Sequence, residues 1–310
     1  MSVRTASVPI LFALAAVFGA GASVAQAASF VVSVPQGGVG RWTGIAAKEC
    51  GIYGKRYGAV DAACYYPVDM RTRPGTHEIA AWDQDGKRHV GTLVVLAAPF
   101  AKVDMELPES LNRYLEPSAE ETSRAASERT AVVAVLDGGK DAPRFSLPLG
   151  KPAASLPKSE DDFGNERTFN GKQKSLHSGR DYPVGAGNPV MAVADGTVVL
   201  AADHFYTGNA VYVDHGGGLV SMNFHLQSIA VAAGDSVKRG QTIGKIGGSG
   251  RATGPHLHLG LRWLGKRVDP ALLLASPDAL PSVSDSKQEA QRKIESAERK
   301  EPDETDDTTD

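Results

Sequence analysis

The chain has 310 residues, enough for about two domains and a sizeable core. Its 34 glycines and 6% aromatic content suit a turn-rich β protein and argue against a helical bundle. The formal net charge of −3 is unevenly placed: residues 276–310 hold eleven acids against five bases, which leaves a mildly basic body suited to an anionic polymer, and no nucleic-acid partner is expected.

Residues 1–27 read as an export signal. Arg4 leads into an apolar run from Ile10 to Ala22, and Ala25-Gln26-Ala27 supplies a small-residue cleavage site. The run is too short to span a bilayer, and no later stretch resembles a stop-transfer segment. A mature chain from near Ala28 is expected, without stable membrane insertion, in the periplasm or secreted. In that oxidising setting Cys50 and Cys64, the two cysteines of the chain, are expected to pair as a disulfide.

Residues 28–98 show short β runs, clearest at Phe30 to Val34 and Gly91 to Leu96, with turn signals at Pro74-Gly75 and Asp85-Gly86. This pattern predicts a small β-sandwich, with His77 and His89 as surface or cross-strand residues. Residues 99–160 read as a helix and a Pro-rich linker. Ser118 and Glu121 form a capping box for a helix reaching about Leu136 and stopping at Gly138-Gly139. Pro143, Pro148, Pro152 and Pro157 then mark a segment that either links or lies across a neighbouring surface through Phe145 and Leu147. Residues 161–275 return to β runs, with a hairpin expected around Asp214 to Gly218. Residues 276–310 form an acidic tail expected to be disordered. The fold class is mainly β: an N-terminal β-sandwich, a short connecting helix and a C-terminal all-β domain.

Six of the eight histidines lie between positions 177 and 258. His177 and Asp181 stand four residues apart with Gly179 between them, and glycine is expected to permit a sharp backbone path. His256 and His258 flank Leu257, and in a strand side chains at i and i+2 share a face. His225 ends the apolar run from Leu219 to Phe224. Catalytic zinc takes three N and O ligands and leaves one position open for water, whose pKa it lowers to about 7. His177, Asp181 and one histidine of the pair would supply such a set, leaving the other histidine and His225 for proton transfer and oxyanion stabilisation. There is no H-E-x-x-H to provide a helix-borne glutamate base. His204 could line a groove, and His215 is expected to serve through hydrogen bonding.

These motifs resemble those of the lysostaphin/LytM-type zinc peptidases over about 110 residues, from Phe163 to Leu274. The likeness is carried by Phe163 to Gly171, Leu176-His177-Ser178-Gly179-Arg180-Asp181, Gly208-Asn209 through Gly216, Gly234 to Gly244, and most specifically Thr253-Gly254-Pro255-His256-Leu257-His258. The resemblance implies a LytM-type peptidase domain with one zinc ion on the floor of a β-rich groove. It implies His177, Asp181 and His258 as zinc ligands, His256 as general base and His225 as the residue steadying the tetrahedral intermediate. It further implies peptidoglycan as the partner and an endopeptidase acting on its peptide cross-links, with room for protein regulators. The ligands do not set which bond is cleaved, and a D-alanyl–diaminopimelate link is the expectation for a Gram-negative host. Asn223 departs from the pattern, since many members carry tyrosine there, and no tyrosine stands between Phe169 and Leu176. A non-catalytic regulator that activates a cell-wall amidase is the alternative, although all five functional positions are filled. Cytoplasmic glucose-specific phosphotransferase domains share a related fold and paired histidines, but an export signal argues against them.

Overall fold

The computed structural model describes residues 30–136, 139, 141–159 and 162–284. The expected signal peptide and residues 285–310 of the expected tail lie outside the described residues. Seven strands build the front half: β1 (Phe30–Pro35), β2 (Val39–Trp42), β3 (Glu49–Ile52), β4 (Lys55–Gly58), β5 (Cys64–Pro67), β6 (Gly75–Trp82) and β7 (Arg88–Leu96). They form a five-stranded sheet of order β1-β7-β6-β3-β4 and a separate β2-β5 ribbon. β1 runs parallel to β7, whereas β6 and β7 form the antiparallel hairpin signalled by Asp85-Gly86, with Gly86 at φ +80°. The period of two puts Val32, Val34, Ile79, Ala81, Leu93 and Val95 in one core, and Trp42 and Tyr66 of the ribbon pack into the same core. His89 pairs with Asp83 at 2.9 Å, and the His77 ring lies edge-on to Tyr53.

Cys50 on β3 and Cys64 on β5 form the expected disulfide, with Cα atoms 5.5 Å apart, and so tie the ribbon to the sheet. Closing a loop of this length restricts the unfolded chain by about 3 kcal/mol. Replacing both cysteines with serine is expected to lower unfolding stability by that amount, read as a shift in denaturant midpoint.

The connector contains a strand absent from the sequence reading. β8 (Lys102–Met105) pairs in parallel with β9 (Glu166–Phe169), and β10 (Gln173–Leu176) completes a three-stranded sheet. A 3-10 turn over Glu109–Tyr114 leads to α1 (Ala119–Val135). The capping box forms: Glu121 N donates to Ser118 Oγ at 3.2 Å, and Ser118 N donates to Glu121 Oε2 at 2.9 Å. The helix closes at Val135, ahead of Gly138-Gly139. No residue of α1 is buried; Arg124 reaches Asp203 at 2.9 Å, and Glu128 accepts from Phe205 N at 2.8 Å. The Pro-rich segment lies across the C-terminal core, with Phe145, Leu149 and Ala153 buried and the Phe145 ring edge-on to Trp263 at 5.5 Å.

The rest of the C-terminal half is one nine-stranded sheet. Its strands are β11 (Gly179–Tyr182), β12 (Pro189–Met191), β13 (Gly196–His204), β14 (Gly208–Asp214), β15 (Leu219–Ile229), β16 (Ser236–Val237), β17 (Thr242–Ile246), β18 (Leu257–Trp263) and β19 (Lys266–Val268). A short helix, α2 (Pro270–Leu274), follows. The hairpin expected at Asp214 to Gly218 joins β14 to β15.

The two halves share apolar packing: Val39, Val60, Ala63 and Tyr65 join the cluster that holds Trp263, Leu259 and Ile243. Arg267 grips Asp69 through Nε at 3.0 Å and a terminal nitrogen at 2.5 Å. Residues 276–284, expected to begin the tail, instead return to the front half. Ser284 and Val31 exchange two backbone hydrogen bonds at 3.0 Å, and Asp278 pairs with Arg41. Among the described residues no helix is long and apolar enough to cross a membrane.

Candidate metal centre

Strand register assembles the site. β11, β18 and β15 lie side by side, with Asp181 opposite His258 and His258 opposite Phe224. His177 enters just before β11. His177 Nε2 lies 3.1 Å from Asp181 Oδ1 and 3.1 Å from His258 Nδ1, and His258 Nδ1 lies 2.8 Å from Asp181 Oδ1. Ions with bonds of about 2.0–2.2 Å hold tetrahedral donors about 3.3 Å apart, so this triangle fits one metal ion after slight expansion. Among the described residues, these three form the group able to hold such an ion.

Gly179 serves differently from the sequence expectation. Its φ is not in the left-handed region; the need is for space. A Cβ at 179 would stand 2.5 Å from His258 Nε2 and 2.5 Å from the Leu259 carbonyl oxygen. Glycine therefore lets β11 lie directly against the His258 ring. That ring also stacks on Phe224 at 5.0 Å with an interplanar angle of 5°.

A second layer of groups orients the donors. His177 Nδ1 donates to the Asp162 carbonyl oxygen at 2.9 Å, which leaves the Nε2 lone pair for a metal. One terminal nitrogen of Arg167 donates to Asp162 Oδ2 at 2.8 Å and to Asp181 Oδ2 at 2.9 Å. The second Asp181 oxygen is thereby occupied while Oδ1 faces the histidines. Burial opposes the charged form of His177, but hydrogen bonds to Asp162 and Asp181 outweigh it and raise its pKa to about 9. Burial also opposes ionisation of Asp181, yet His177 and His258 hold its carboxyl far below the usual range. Burial pushes His258 down against the pull of Asp181.

His225 and His256 face the same groove, with ring centroids 4.9 Å apart. His225 has φ +60° and sits where the β14–β15 register slips, a bulge that re-aims its ring. Its Nδ1 donates to the Ser249 carbonyl at 2.8 Å, and His256 Nδ1 donates to the Gly254 carbonyl at 2.9 Å. A carbonyl only accepts, so both neutral rings present Nε2 as an acceptor. His256 Nε2 lies 3.6 Å from Asp181 Oδ1. Burial, reinforced by His258 and His256, lowers His225 to about 3.

The groove is a cavity of about 360 Å³ lined by these five residues and by Met105, Leu107, Arg167, Phe169, Tyr206 and Arg251, among others. None of its lining residues comes from the front-half sheets. His204 does not line it; it is buried beside Tyr212 and lowered by that burial. His215 is fully buried and lowered to about 4 by burial, bonded to the Asp195 carbonyl at 2.9 Å and to Ser221 Oγ at 2.8 Å. Asn223 is buried, with Nδ2 3.4 Å from the Val211 carbonyl, and is absent from the groove lining. The sequence reading missed Asp162, Arg167 and Arg251 as site residues, since no local spacing joins them to the histidines.

Residues 175–270 match the family model described as Peptidase family M23. The peptidoglycan DD-endopeptidase ShyA of Vibrio cholerae is 42% identical over 98 residues, which are 32% of this chain and 23% of that protein. The DD-carboxypeptidase/endopeptidase Mpg of Neisseria meningitidis is 39% identical over 104 residues, 33% of this chain and 24% of that protein. The chain thus spans about a quarter of the length of these curated relatives. A solved peptidase M23 structure from Pseudomonas aeruginosa aligns with a TM-score of 0.59 at 28% identity, covering 78% of this chain and 94% of that one. What the match assigns to peptidase family M23 is therefore residues 175–270, the segment that holds all five groove residues His177, Asp181, His225, His256 and His258.

Proposed function

We propose that this chain is an exported, periplasmic zinc endopeptidase that hydrolyses peptide cross-links of peptidoglycan. The observation that carries the reading is the convergence of His177, Asp181 and His258 on one point beside two histidines with acceptor nitrogens facing the same groove. The names of the relatives ShyA and Mpg support the substrate class, and the intramolecular disulfide supports an oxidising compartment. A set of two imidazoles and one carboxylate is a donor set that zinc accepts.

When bound, the metal would supply Lewis-acid activation of water and of the scissile carbonyl. The protein's own residues manage the protons. His256, fixed through Nδ1 by Gly254, offers Nε2 as the general base nearest the ligand cluster. His225 is held neutral by burial, so its Nε2 can help the developing negative charge only after taking up a proton. Once protonated it becomes a donor beside His256 and steadies the tetrahedral intermediate.

Digestion of purified cross-linked peptidoglycan by the full mature chain tests this reading, with mass analysis of released muropeptides. Expected is loss of cross-linked dimers at the D-alanyl–diaminopimelate bond, abolished by His177→Ala and by a chelator and restored by zinc. No cleavage by folded, zinc-loaded protein would overturn the enzyme reading and favour a regulator that activates a cell-wall amidase.

A further inference from the structure

We propose that Ser249 is a positioning residue of the groove: its hydroxyl holds the β15 bulge and its carbonyl holds the His225 ring, so that His225 Nε2 is kept facing the groove. This role rests on the endopeptidase reading above and on the part that reading gives to His225. At the slip in register Asn209 stands opposite Leu226 while Val211 stands opposite Asn223, so β15 carries one extra residue there. Ser249 Oγ bridges this step. It accepts from Asn209 N at 2.9 Å and donates to the Leu226 carbonyl at 2.8 Å, tying two strands through a side chain from a third segment. The same residue meets His225 through its main chain. Its carbonyl accepts from His225 Nδ1 at 2.8 Å, and its N–H donates to the His225 carbonyl at 3.4 Å.

The left-handed backbone of His225, with φ +60°, is rare for a residue with a side chain and persists where neighbours fix it. Ser249 supplies that fixing twice over, since one residue ties both the bulge and the ring. The fit around its hydroxyl is close. A Cβ at Gly208 would stand 2.2 Å from Ser249 Oγ, so glycine at that position leaves room for the bridge. Asn209 Nδ2 adds a second donor to the Leu226 carbonyl at 3.1 Å. The loop that carries Ser249 has anchors of its own on either side. His256 N donates to the Gly247 carbonyl at 3.1 Å, and Arg251 N donates to the Tyr206 carbonyl at 2.8 Å. Removing the hydroxyl therefore leaves the loop docked, while the bulge and the ring lose their shared tie. A histidine whose Nδ1–H has lost its acceptor is free to turn or to exchange tautomers, and Nε2 is then no longer a fixed acceptor in the groove.

Imidazole nitrogen NMR of the full mature chain loaded with zinc tests this, with His225→Gln assigning the signals. The wild-type protein is expected to show His225 as a single Nδ1–H tautomer. Ser249→Ala should show a mixture of both tautomers, and Ser249→Thr, which keeps the hydroxyl, should return the single form. On soluble cross-linked muropeptide dimers, Ser249→Ala should lower kcat by about 10- to 100-fold. KM should stay within about twofold, since a displaced His225 costs contacts made in the transition state. Metal content should match the wild type. Adding Ser249→Ala to His225→Ala should cost nothing further, because the serine acts through that ring. A single Nδ1–H tautomer surviving in Ser249→Ala, or losses that multiply in the double variant, would overturn the proposal. The tautomer is read without turnover, so an inactive wild-type chain would count against the endopeptidase reading while the NMR still decides the role of Ser249.

Discussion

The His256→Ala protein is expected to bind metal with unchanged stoichiometry while its kcat on cross-linked peptidoglycan falls by about 100- to 10,000-fold. His256 shares a strand face with His258 but is not one of the three converging donors, since its Nε2 stands 3.6 Å from the Asp181 oxygen and its Nδ1 is spent on Gly254. Losing the ring removes an acceptor for the proton of the attacking water and leaves the donor triangle in place. His258→Ala should behave differently, losing metal and activity together. Metal content by elemental analysis beside kcat separates the two. Loss of metal from His256→Ala would show that the histidine belongs to the ligand set.

The second large effect is expected from residues that never touch the metal. Replacing Arg167 with alanine, or Asp162 with asparagine, should weaken metal binding by about 10- to 100-fold in a chelator competition. The ring His177–Asp162–Arg167–Asp181 fixes the His177 tautomer and the carboxylate orientation together. An unchanged metal Kd in both variants would reduce that ring to a bystander. A pH dependence accompanies it. His177 is raised to about 9 from 6.5, so its proton stabilises chelator-treated folded protein below about 6.5, and that contribution is lost as pH rises through 9. A metal needs the same Nε2 lone pair and must displace the proton. Apparent metal affinity should therefore climb about tenfold per pH unit between about 6.5 and 9, with the climb ending at lower pH in Asp162→Asn.

The parts of the site legible in the sequence are those in which chemistry and spacing are local. His256 and His258 share a face because a strand repeats every two residues, and the capping box of α1 needs only Ser118 and Glu121. Asp162 and Arg167 acquire their roles only when β9 and β11 come near each other, and nothing at their own positions announces it. The parallel pairing of β8 with β9 joins segments about sixty residues apart, and Lys-Val-Asp-Met alone carries too little pattern to signal a strand. Gly179 was legible as necessary but for the wrong reason, since a strand-to-ring contact across the sheet cannot be read from the chain.

The apolar packing between the two halves decides how substrate reaches the groove. Tyr65 lies against Trp263 with centroids 5.6 Å apart, inside a cluster that also takes in Val39, Val60 and Ala63. A hinge opening there would wet these side chains on every swing, at about 25 cal/mol for each square ångström exposed. The front half is thus a fixed buttress, unsuited to acting as a door. Any gating of the groove falls to the lighter connector, whose Met105 and Leu107 already line it.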